Sequence, residues 1–268
     1  MLFVTLTILI QLFYFISTTT NFFSSTLYFP YGYAIHIIYY LAFLVVTFLF
    51  VGKFDFTLVG LKRTASWQKF LLVGILLAVL GTVLKFVFVQ GTFGQSFYSA
   101  PYYVIVPAFL FLGTLIALAE ESAFRGYVFK NFSEKLPLVI AILFASFLFG
   151  IYHLNFRDLN FYTAPFWTLY VVQALTGGLI MILLFYRTGY NLIAPVGYHA
   201  TNIIIGQVIL WTPSVNADLI LAIEIAINLA LVIILKFIPV SIFDNKTKIQ
   251  KNGFPDLVAK NSSINLFR

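Results

Sequence analysis

This chain predicts an all-α fold, a polytopic transmembrane bundle of about eight helices with its active site buried in the membrane core. Three observations predict it. Hydrophobic residues fill 61% of the 268 positions and charged residues only 9%, and mean hydropathy is +0.98. A soluble core does not absorb that much apolar surface, whereas a bilayer does. Apolar runs of about the 20 residues that span a hydrocarbon core recur along the chain. The basic residues between those runs fall almost all on one side.

The runs lie near 1–17, 33–52, 69–90, 102–131, 136–153, 166–186, 190–211 and 219–238. The first is short, so a seven-helix bundle is the alternative. It has no basic n-region and reads as a span rather than a cleaved signal. Fourteen of the 16 basic residues lie on one side, Lys85 and Arg157 being the exceptions. The positive-inside rule makes that side, with both termini, cytoplasmic. The net charge of +7 then reflects topology and anionic headgroups, with no nucleic-acid partner. There is no cysteine, which excludes disulfides, cysteine-based zinc sites and a cysteine nucleophile.

The domain reading is a helical bundle over 1–243 and a basic, polar cytoplasmic tail over 244–268. The stretch from Phe54 to Arg63 mixes apolar and basic residues. It reads either as an amphipathic helix on the inner interface or as a basic loop. In the fourth run, Pro107 starts the helix or kinks it. A helix over 107–131 would be about 37 Å long, against roughly 30 Å of hydrocarbon. The acid pair Glu120-Glu121 therefore falls in the membrane's inner half.

Ionisable groups at that depth are costly, and their default reading is functional. Helix geometry separates the two acids. Glu121 and Arg125 are four apart and share a face. Glu120 is about 140° around from Arg125, so it lacks that partner. Desolvated and without a local cation, such a carboxylate becomes more basic, which suits a general base for water.

Two histidines sit among apolar residues. His153 ends the fifth run, with Phe149 one turn earlier. His199 lies in the seventh, with Asn202 three residues on. Singly, each reads as a helix-end or helix–helix hydrogen bond. His36 has no polar neighbour and reads as structural. Lys85 and Glu224 read as residues that snorkel to the outer interface. Glu120, His153 and His199 taken together read as one water-activating set. Counted from a turn near residue 133, however, Glu120 and His153 differ in height by about 10 Å.

The set resembles the CAAX-protease and bacteriocin-processing family of intramembrane proteases, also called the Abi family. Its first motif, Glu-Glu-x-x-x-Arg, is matched by Glu120, Glu121 and Arg125. Its second, Phe-x-x-x-His, is matched by Phe149 and His153. Its third is His with Asn four residues on. His199 matches, but Ile203 holds the fourth position and Asn202 stands one residue earlier. The family-like core covers about 102–211.

The resemblance implies an endopeptidase that cleaves a peptide or protein substrate at the lipid bilayer, in bacteriocin processing, self-immunity or CAAX-type C-terminal cleavage. It implies that Glu120 and His153 activate water and that His199 and Asn202 stabilise the oxyanion. Glu121, Arg125 and Phe149 are then supporting residues. A divalent metal such as zinc stays open, with Glu120, His153 and His199 as ligands. The expected location is a bacterial cell membrane. The competing readings are a non-catalytic immunity protein on the same fold and a proton-coupled transporter.

Overall fold

The computed structural model describes residues 28–49, 55–62, 64–93, 97–99, 102–153, 164–211 and 217–238. The expected first span, the 244–268 tail, Arg157 and the side chain of His36 lie outside the described residues. The described elements are helices, apart from one short strand pair. In order they are α1 (Tyr28–Thr47), α2 (Trp67–Phe93), β1 (Phe97–Ser99), α3 (Tyr102–Glu121), a π-helical segment (Ser122–Phe129), α4 (Lys130–Lys135), α5 (Leu138–Tyr152), α6 (Ala164–Arg187), α7 (Ile193–Val208), β2 (Ile209–Trp211) and α8 (Ala217–Phe237).

Three helical stretches are long and apolar enough to cross a membrane: Trp67–Gly91, Phe166–Arg187 and Asp218–Phe237. Ile37–Thr47 and Leu138–Tyr152 are shorter apolar helices. The outward faces are apolar as well. Leu72, Leu76 and Val87 on α2, Leu143 and Phe144 on α5, and Ile233 and Phe237 on α8 are all exposed. Water would penalise such a surface, whereas lipid matches it. The chain is an integral membrane protein.

Helix α7 packs against α2, α3 and α6, while α6 also contacts α5 and α8. The α2–α7 contact depends on small residues, as membrane helices that approach closely require. A Cβ on Gly74 would stand 2.1 Å from the Ala194 carbonyl oxygen. Phe149, Ile180, Leu184, Phe185 and Leu231 are buried in the shared core.

Two open alternatives are decided and two expectations are corrected. Of the two readings of Pro107, the structure has it inside α3 and not at its start. The long fourth run is not one α-helix, because residues 122–129 are π-helical. The seventh run ends at Val208, and its last three residues pair antiparallel with Phe97–Ser99. Of the two readings of the stretch after Phe54, the loop holds: residues 55–62 form hydrogen-bonded turns and no amphipathic helix. Asp55 closes one turn by accepting from the Thr57 amide at 2.9 Å. Gly60 has φ +93° and accepts from the Leu192 amide at 2.9 Å, a left-handed conformation that glycine tolerates without cost.

The expected height mismatch between Glu120 and His153 is absent. Leu136 is extended (φ −120°, ψ 156°) and Pro137 caps α5. A residue before proline is pushed out of the helical region, so the turn falls at 136–137. Glu120 precedes Lys135 by 15 residues and His153 follows Leu138 by 15. The two arms are therefore level.

Candidate active site

Glu120 and Glu121 are the last residues of α3, directly before the π segment. Single π turns inside helices often mark functional sites. The segment is pinned from outside. A Cβ on Gly126 would come within 2.5 Å of the Val59 carbonyl oxygen, so only glycine lets the 55–62 turns seat against it.

The two acids diverge as helix geometry requires. Glu121 is fully buried and serves two partners through one oxygen. Arg125 Nη1 donates to its Oε1 at 3.0 Å, and His199 Nδ1 donates to the same oxygen at 2.8 Å. Arg125 is also fully buried. Its Nη2 donates to the Gly178 carbonyl at 3.2 Å, and its guanidinium lies 4.2 Å from the centre of the Phe149 ring. These contacts tie α3, α6, α5 and α7 together. A buried charge pair of this kind is destabilised by several kcal/mol when one member is removed.

Glu120 faces the other way. Its Oε1 accepts from the Tyr40 hydroxyl at 3.1 Å. Its Oε2 is buried and has no hydrogen-bond partner. That oxygen faces His153 Nε2 at 4.0 Å and His199 Nε2 at 3.8 Å. Such separations exceed a hydrogen bond and suit a bridging water.

The tautomers follow from the other ring nitrogens. His153 Nδ1 lies 2.8 Å from the Phe149 carbonyl oxygen, which only accepts. Glu121 as a carboxylate also only accepts. Both neutral rings therefore carry the proton on Nδ1 and turn an Nε2 lone pair toward Glu120. His199 donates from Nε2 only as an imidazolium, and Glu121 holds its Nδ1. Such a carboxylate–histidine arrangement fixes tautomer and orientation in acyl-transfer sites.

His153 and His199 line a cavity of about 340 Å³ together with Asn202 and Ile203. Asn202 hydrogen-bonds the Tyr198 hydroxyl. The structure thus brings together Glu120, Glu121, Arg125, Phe149, His153 and His199, and places Asn202 on the wall of the adjoining cavity. Lys85 and Glu224 are corrected. They form an ion pair with each other and line the same cavity instead of reaching separately for the interface.

The residues that would hold a divalent ion are Glu120, His153 and His199. Two ligands about 2.1 Å from a tetrahedral ion stand roughly 3.4 Å apart, closer than the separations at Glu120. Among the described residues, no three His, Asp or Glu side chains are grouped so as to hold an ion.

Tyr40, the His199–Glu121 bond and the π segment had no reading in the sequence. The signal for Tyr40 was two adjacent tyrosines, Tyr39-Tyr40, in an apolar run. A buried tyrosine hydroxyl usually finds a partner.

A family model described as type II CAAX prenyl endopeptidase Rce1-like matches residues 102–205. That segment is similar to the Rce1-like family. It holds Glu120, Glu121, Arg125, Phe149, His153, His199 and Asn202, and the match bears out the resemblance carried by their motifs. The Rce1-like family is a family of proteases. Tyr40, Lys85 and Glu224 lie outside the Rce1-like segment. Among curated proteins, no match to the chain was found.

Proposed function

We propose that this protein is an intramembrane endopeptidase that hydrolyses a peptide bond with water activated by Glu120 and His153. The observation that carries this reading is the buried, unpartnered Glu120 Oε2, faced by two ring nitrogens at 4.0 and 3.8 Å. A water there donates one hydrogen to Oε2 and the other to His153 Nε2, leaving a lone pair for the substrate carbonyl. Glu120 takes the first proton as the water oxygen bonds to the carbonyl carbon. The tetrahedral oxyanion is met by His199 as an imidazolium and by the Asn202 amide. Glu120 returns its proton to the leaving nitrogen, the C–N bond breaks, and an acid and an amine leave.

The substrate is a peptide held at the membrane. The Rce1-like match favours CAAX-type C-terminal cleavage, with bacteriocin processing or self-immunity as the other roles of such a site. With this reading go a bacterial cell membrane, the 1–243 bundle, and a 244–268 tail on the cytoplasmic side with both termini.

The test uses purified protein in liposomes with a farnesylated CAAX peptide, products being read by mass spectrometry. Release of the C-terminal tripeptide, abolished by Glu120→Gln and by His153→Ala, supports the proposal. Equal release by both variants overturns it.

A further inference from the structure

We propose that Tyr40 on α1, outside the Rce1-like segment, is a positioning residue that fixes Glu120 so that Oε2 is the oxygen meeting water. The inference rests on the proposed role of Glu120 and adds a part of the site that the family motifs do not contain.

The geometry is over-determined. Tyr40 donates to Glu120 Oε1 at 3.1 Å. Its ring is held edge-on by Tyr39 at 4.7 Å between centroids. One turn on, Phe43 is buried against Ala119 and Ala123, which bracket the acid pair. On the other side, Tyr39 shares a hydroxyl–hydroxyl bond of 3.0 Å with Tyr152, the residue before His153. Phe43 stacks on the same Tyr152 ring at 6.3 Å. Helix α1 therefore braces both members of the water-activating pair, one through Tyr40 and the other through Tyr152.

The chemistry explains the asymmetry of the carboxylate. A carboxylate with neither oxygen bonded rotates between two equivalent settings. A phenol donor on Oε1 breaks that equivalence and leaves Oε2 as the oxygen without a protein partner. Catalytic groups held in one rotamer by their neighbours gain rate through orientation.

Two measurements on full-length protein in detergent decide the matter. The first needs no substrate. Infrared difference spectra between the wild type and Glu120→Gln identify the Glu120 carboxylate band. In Tyr40→Phe, which keeps the ring, that band is expected to shift, and an unmoved band overturns the inference. The second is turnover of the farnesylated CAAX peptide. Tyr40→Phe is expected to lower kcat about tenfold, the scale of one hydrogen bond to a charged group, with KM within twofold and thermal melting unchanged. A kcat within twofold of wild type, or a loss that tracks a fall in melting temperature, overturns it. If Glu120→Gln keeps full activity, the proposed function fails, and the infrared result still judges the Tyr40 contact separately.

Discussion

His199 donates from Nδ1 to Glu121 Oε1 at 2.8 Å, and Arg125 donates to that same oxygen at 3.0 Å. One buried carboxylate oxygen therefore orients a site histidine and neutralises a buried cation. Glu121 is thus more than the helical partner of Arg125. Replacing it with Gln keeps the shape but removes the charge behind both groups. Glu121→Gln is expected to lower turnover about a hundredfold or more and to lower the melting temperature in detergent, since Arg125 is left buried without its counterion. Steady-state kinetics and a melting curve on the same preparation check both. Loss of turnover with unchanged melting would contradict the shared role.

The Lys85–Glu224 pair yields a second prediction. Each lies about one fifth exposed on the cavity wall, and together they join α2 to α8. Lys85→Met or Glu224→Gln alone breaks the ion pair and is expected to destabilise the protein. The double variant is expected to recover much of that loss, with a coupling of about 0.5–3 kcal/mol. Independent, additive effects in a double-mutant cycle would favour separate snorkelling instead.

Asn202 is tested in its own register. It lines the cavity that His199 also lines and bonds the Tyr198 hydroxyl, so its amide is held at the cavity wall. Asn202→Ala is expected to reduce kcat by about a hundredfold, as loss of one oxyanion donor does, with little change in KM. Asparagine restored at the next position, as Asn202→Ala with Ile203→Asn, tests whether position matters. Full recovery there would mean that the one-residue displacement carries no cost.

Much of this was legible in the sequence, for a reason that also sets its limit. Glu121 and Arg125 meet because i,i+4 spacing is local, and local geometry can be read from spacing alone. That Glu120 faces away from Arg125 follows from the same rule. Its meeting with His153 depended on where the chain turns, and Pro137 carried that information through the restriction it places on Leu136. The partners of Tyr40, Lys85, Glu224 and the Nδ1 of His199 come from distant helices. No periodicity encodes such pairings. The π segment was equally hidden, since it replaces a run whose sequence suits an ordinary α-helix.

The turns over residues 55–62 offer a test by pH. Lys62 is half-buried, and burial first and then Lys130 hold its ammonium below the usual lysine range. A lowered lysine pKa means that folding penalises the charged form. The penalty is full below the folded pKa and fades as pH rises through it toward the unfolded value. Lys62→Met is therefore expected to raise the melting temperature modestly at pH 7, with the gain shrinking as the pH approaches the ordinary lysine range. Melting curves across that window check the sign, and a gain that grows with pH would contradict it.

The central claim is that Glu120 Oε2 activates water between His153 and His199. The most direct measurement is single-turnover cleavage of the farnesylated CAAX peptide by Glu120→Gln beside wild type, with melting curves showing both equally folded. Glu120→Gln removes the proton acceptor and keeps the volume. The account predicts a rate at least about a thousandfold lower with peptide binding retained. Cleavage within tenfold of wild type by a folded Glu120→Gln protein would contradict it.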